Sequence, residues 1–100
     1  MADACGQIVR SLAGHDKGAL FCVLDTDGGY LLLCDGKRRR LERPKRKKEK
    51  HTQLLGTLPQ PSLAEFQAGI NRSNRDIRRA LAAFRAEELR SCLLYTSRCV

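Results

Sequence analysis

The chain has no tryptophan, three prolines and only 5% aromatic residues among its 100, so its core has to be small and mostly aliphatic. A chain of this length buries roughly two-thirds of the surface that its unfolded form exposes, which leaves little stability in reserve. Apolar runs such as Tyr30 to Cys34 are far too short to cross a bilayer, which takes about 20 residues as a helix. The opening MADACGQIV has neither a basic region nor a long apolar one. No secretory signal and no membrane segment are therefore expected, and a cytoplasmic location is. The five cysteines, at positions 5, 22, 34, 92 and 99, include no C-x-x-C pair. Their spacings and those of the two histidines match no zinc pattern, so neither a metal nor another cofactor is expected. Cys22 and Cys34 lie inside apolar runs, where a reduced cysteine acts as a small hydrophobe.

Catalytic chemistry is equally hard to find. His15 stands next to Asp16, and sequence neighbours do not place a carboxylate behind an imidazole as an orienting group. The glycines of GHDKG, residues 14–18, do not fit a phosphate-binding loop, which needs G-x-x-x-x-G-K-[ST] before a helix. His51 reads as a surface residue. No enzyme, no catalytic residue and no small-molecule substrate are expected.

What the chain does have is charge in one place. Ten of the fourteen residues from Lys37 to Lys50 are Lys or Arg and two are Glu, while nine bases and nine acids make up the rest of the chain. The whole formal charge of +8 therefore sits in this run. A concentrated positive charge calls for a partner of opposite sign, most commonly a polyphosphate backbone.

Around that run the pattern is of short strands and tight turns. GQIVRSL (6–12), ALFCVLD (19–25) and YLLLC (30–34) read as strands, joined by AGHDKG and by TDGG, a strong hairpin signal. The third strand is apolar at successive positions, so both its faces should be covered. DG at 35–36 turns the chain again, and the basic run is expected to return as a fourth strand from Lys37 to Arg43, anchored by Leu41. Pro44 should end it, and Lys45 to Lys50 should form a basic loop before a short fifth strand, HTQLL (51–55). Four or five such strands within about fifty residues predict a small β-barrel.

After GTLPQP the period becomes helical. Ser62 with Glu65 and Ser73 with Asp76 have capping-box spacing. Leu63, Phe66 and Ile70 share one predicted face, and Ile77, Ala80, Leu81 and Phe84 make a second apolar stripe suited to covering the outside of the barrel. The last nine residues, CLLYTSRCV, equal the conceptual translation of two back-to-back transposase mosaic ends followed by a stop. Residues 92–100, with Cys92 and Cys99, are therefore expected to be derived from a sequencing adapter, in place of the natural C-terminus.

GQIVRSLAGHDKGALFCVLDTDGGYLLLCDG followed by DGKRRRLERPKRKKEKH resembles a KOW motif with a basic extension. It is similar to the small KOW-domain RNA-binding proteins related to the fourteen-e family of large-subunit ribosomal proteins, over roughly residues 5–55. The resemblance implies a fold that is mainly β with a C-terminal helix: a small SH3-like (KOW) β-barrel of about five strands plus one or two short α-helices. Residues 1–57 would be the barrel and 58–91 a helical appendage packed on it. It also implies a non-catalytic, ribosome-associated RNA-binding protein whose partners are structured RNA, ribosomal RNA above all, and ribosomal proteins. Carried onto this chain, Arg10, His15 and Lys17 would contact RNA from the loop after the first strand, with Gly14 and Gly18 shaping that loop. His15 stands where the family more often has Arg, and Arg38 where it often has an apolar residue. The expected phosphate-gripping set in the basic run is Lys37, Arg39, Arg40, Lys45, Arg46, Lys47, Lys48 and Lys50. Two alternatives stand beside this reading: a protein-interaction adaptor in the transcription or translation machinery, docking the basic run on an acidic partner, and a thiol enzyme using Cys22 or Cys34.

Overall fold

The computed structural model describes residues 4–60, 62–70 and 72–99, with side chains up to Arg90. The side chains of the adapter-like segment lie outside the described residues. The fold is mixed α/β. Five strands, β1 (Gln7–Ser11), β2 (Leu20–Asp27), β3 (Tyr30–Cys34), β4 (Lys45–Lys48) and β5 (Thr52–Thr57), are followed by α1 (Ser62–Gln67) and α2 (Asn74–Cys99). The strands form one antiparallel sheet in the order β4-β3-β2-β1-β5. β4 and β5 are its two edges, so the sheet is not closed into the barrel that the strand pattern predicts.

The turns follow from local chemistry. Gly28 and Gly29 have φ of 54° and 87° and join Asp27 to its cross-strand partner Tyr30, the two-residue turn with both central φ positive that suits strand twist. In α2 the Ser73 hydroxyl accepts from the Asp76 amide at 3.1 Å and donates to the Asp76 carboxylate at 2.7 Å, as the cap spacing predicts. α1 is shorter than expected. Gly69 has φ of 81°, and the Ile70 amide donates back to the Glu65 carbonyl at 2.7 Å, a left-handed helix stop. Ile70 thus falls beyond the helix and is 56% exposed, and it does not share the face of Leu63 and Phe66.

Two apolar clusters lie on opposite faces of the sheet. One gathers Cys5, Ile8, Cys22 and Cys34 with Phe66, Ile77 and Leu81 of the helices, and Leu41, Leu63, Ala80 and Phe84 pack against it. The other contains Val9, Phe21, Val23, Leu31 and Leu33. β3 contributes to both, because successive side chains of a strand point to opposite faces. This accounts for its unbroken apolarity.

The basic run is arranged the other way round from the expectation. Lys37 to Arg43 is loop, and Lys45–Lys48 is strand β4. The Asp35 carboxylate accepts the amides of Lys37 and Arg39 at 2.9 and 2.8 Å, and this side-chain-to-backbone pairing turns the chain away from β3 at once. Pro44 sits immediately before β4, where its missing N–H breaks no ladder bond. β5 runs to Thr57, two residues further than predicted.

The loop lies tightly on the start of α2. Gly36 has φ of 76°, and a Cβ there would overlap the Asn74 carbonyl oxygen. Gly18 also has positive φ, 90°, but a Cβ there would meet nothing within 4 Å. Gly18→Ala is accordingly expected to cost about 1 kcal/mol, the left-handed backbone strain alone. Gly36→Ala should cost about 2–4 kcal/mol, since overpacking adds to that strain. Urea unfolding midpoints of the two variants check the difference.

Candidate nucleic-acid interface

The loop from Asp35 to Pro44 carries five bases and is held at several points. Asn74 accepts the Leu41 amide at 2.8 Å and donates to the Glu42 carboxylate at 2.8 Å. Arg78 donates to the Gly36 carbonyl at 2.7 Å, and the amides of Asp35 and Gly36 both donate to the Arg39 carbonyl. Leu41 anchors the loop in the helix-side core. Lys37, Arg38, Arg39, Arg40 and Arg43 are left exposed on the outside. Among them Arg40 has a carboxylate neighbour, Glu42 at 3.5 Å, with both side chains more than 60% exposed, a pairing worth little in water.

β4 divides its four bases between two faces. Lys45 and Lys47 point inward, and Arg46 and Lys48 outward. Lys47 is only 9% exposed and donates to the Ala13 carbonyl at 2.9 Å and to Asp16 Oδ1 at 3.2 Å. Lys45 Nζ lies 2.5 Å from Asp16 Oδ2, and the Ser11 hydroxyl donates to Asp16 Oδ1 at 2.7 Å. Burial by itself would raise the Asp16 pKa, but hydrogen bonds from Lys45, Ser11 and Lys47 and the charge of Lys45 outweigh it. They hold this carboxyl well below the usual aspartate range. Outside, the Arg46 guanidinium lies 4.0 Å over the Tyr30 ring and 3.5 Å from Asp27.

The candidate residues thus fall into two groups. His15 and Lys17, on the tip of the loop between β1 and β2, and Lys37, Arg39, Arg40, Arg46, Lys48 and Lys50 are all exposed. Arg10, Lys45 and Lys47 are engaged inside the protein. Arg10 makes a two-pronged contact with Glu88 at 2.9 and 3.2 Å and ties β1 to α2. Arg38 and Arg43 stand exposed beside the first group although neither is in the expected set. Their place in the charge run was the available signal, hidden by reading that segment as a packed strand. Gly14 and Gly18, with φ of 86° and 90°, do shape the loop that brings Asp16 to β4.

Cys22 and Cys34 are buried and free. Burial pushes the Cys22 thiol up to about 12 and raises Cys34 as well, which disfavours the reactive thiolate. Among the described residues no group of three or more His, Cys, Asp and Glu could hold a metal ion. Also among them, no helix is long and apolar enough to cross a membrane. Compared with protein-family models and with curated proteins, the chain matches none.

Asp16→Asn is expected to lower stability by about 3 kcal/mol, as removal of one partner from a largely buried ion pair does. The pH dependence has a definite sign. A carboxyl whose folded pKa is depressed stabilises fully above its unfolded value of about 3.9, and that contribution is lost as pH falls below it. The wild-type chain should therefore lose stability below about pH 4 more steeply than Asp16→Asn does, a comparison that thermal melts across pH 2–7 would provide.

Proposed function

We propose that the chain is a non-catalytic, cytoplasmic RNA-binding protein, ribosome-associated, that grips the phosphate backbone of structured RNA. One observation carries the reading: eight of the ten bases between Lys37 and Lys50 are exposed on a clamped loop, on the outer face of β4 and on the turn after it. Charge presented from a fixed support binds polyphosphate without first ordering a flexible segment, and ordering is a large part of the cost of association. Contacts to phosphate release counterions, so the binding is salt-dependent and mostly indifferent to sequence. Selectivity for structured RNA comes from shape and ribose contacts.

The topology supports the finer reading as an SH3-like KOW fold. β1 to β4 are successive neighbours, and β5 returns beside β1, the connectivity that a five-strand SH3-like barrel uses. GQIVRSLAGHDKGALF spans β1, its glycine-shaped loop and the start of β2, the strand–loop–strand unit of the KOW motif. Ribosomal RNA is the target that the resemblance implies, with ribosomal proteins as neighbours. His15, Lys17, Lys37, Arg39, Arg40, Arg46, Lys48 and Lys50 would contact phosphates, joined by Arg38 and Arg43. Arg10, Lys45 and Lys47 would act by holding the platform in shape.

A filter-binding salt titration with structured RNA tests this division of labour. Replacing Lys37, Arg39 and Arg40 with Gln should reduce the slope of log affinity against log salt by about 2–3, at roughly 0.7–0.9 for each lost contact. Lys47→Met should instead lower the melting temperature and leave the slope of the folded protein unchanged. Affinity flat with salt would contradict the proposal. A protein partner retained after nuclease treatment would favour the adaptor reading.

A further inference from the structure

Among the described aromatic rings, Phe21, Phe66 and Phe84 belong to the two cores. Tyr30 does not. It lies at the hairpin end of β3, on the face that Cys34 shares farther along the strand, half-buried under the Arg46 guanidinium at 4.0 Å. Asp27 lies 3.5 Å from Arg46, an exposed pair that adds little, so the contact of cation and ring rests on the ring face itself. A guanidinium over a tyrosine face is a favourable pairing.

Beside this stack opens a notch of about 340 Å³, lined by Gly28, Gly29, Tyr30, Lys48, Glu49 and Lys50. Arg46 faces Leu32 across the ladder, whereas Lys48 faces Tyr30. The arginine therefore reaches the ring from the edge strand, farther along the β3–β4 ladder, and the notch lies toward the hairpin end. The two glycines leave it open, since a Cβ at either would meet nothing within 4 Å. The Glu49 amide donates to the Gly29 carbonyl at 3.0 Å, which fixes the turn after β4 against the hairpin.

The lining has mixed chemistry. Lys48 and Lys50 attract phosphate, but the Glu49 carboxylate between them repels it, so a bare anion is a poor occupant. A group with an aromatic body, hydrogen-bond donors on its edge and a negative charge on either side satisfies all of them. We propose that the notch takes one unpaired nucleotide of a bound RNA. Its base stacks at Tyr30, its donor edge faces Glu49, and the phosphates on either side lie on Lys48 and Lys50. Unstacked bases are what proteins most often read in RNA, by stacking on aromatic side chains. This rests on the RNA-binding reading and deepens it: the preferred RNA is a helix interrupted by a bulge, and the basic loop grips the helix backbone.

Three RNA duplexes separate the two ideas: one continuous, one with a single bulged nucleotide, and one with an abasic bulge of the same charge. Fluorescence anisotropy with the intact chain should show the bulged duplex bound about tenfold more tightly than the other two. Tyr30→Leu should remove that preference while retaining affinity and salt slope on the continuous duplex. Equal binding of bulged and abasic duplexes by the intact chain, with a steep salt slope on all three, overturns the notch and leaves the phosphate-gripping proposal standing. Salt-independent or absent binding on all three overturns both. The abasic comparison needs no variant and so does not depend on how Tyr30→Leu folds.

Discussion

A strand written entirely in lysine and arginine joins this sheet because one carboxylate waits for it. β4 is Lys-Arg-Lys-Lys, and pairing with β3 turns Lys45 and Lys47 toward the face that carries Leu31 and Leu33. An ammonium group placed there without a partner would lose most of its hydration, at a cost of several kcal/mol. Asp16 receives both lysines, Lys45 at Oδ2 and Lys47 at Oδ1, and the Ser11 hydroxyl donates to Oδ1 as well. Gly14 and Gly18 bend the loop that delivers the carboxylate. The GHDKG segment is thus first a structural device, and its exposed His15 and Lys17 are what remains free to meet a ligand. One acid answering two bases also leaves the site net positive, so the clamp adds to the field of the surface beside it.

The second half of the arrangement is the seat of the basic loop. Like charges as dense as those from Lys37 to Arg43 repel and would keep a free segment extended. Here Asp35 turns the chain, Leu41 is drawn into the helix-side core, and Asn74 and Arg78 hold the backbone to α2. Each hydrogen bond contributes only about 1 kcal/mol, but they act on the same ten residues as the close approach of Gly36 to Asn74. The helix that covers one face of the sheet is therefore also the floor of the charged surface. Any change that loosens α2 should loosen the loop with it.

Much of this was legible in the residues. The TDGG hairpin, the doubly apolar β3, the Ser73 cap and the Ile77, Ala80, Leu81 and Phe84 stripe all follow from local rules, and the structure keeps them. The strand of the basic run was not legible. Charged residues carry no hydrophobic period, and what places β4 is Asp16, about thirty positions earlier. The same distance hid the inward direction of Lys45 and Lys47, and Arg10 pairs with Glu88 from the far end of the chain. Leu41 showed that the run had an anchor but not that the anchor belonged to a loop. Closure into a barrel depends on how the two edge strands meet, and tight turns alone do not specify that.

The central claim is that the basic loop is a fixed part of the fold before any ligand binds. Backbone relaxation of the free protein, measured by NMR at low salt for the amides of residues 37–43, tests it most directly. The account predicts order parameters close to those of β2 and β3, about 0.85. Values below about 0.6, typical of flexible backbone, would show a loose charged segment and contradict it.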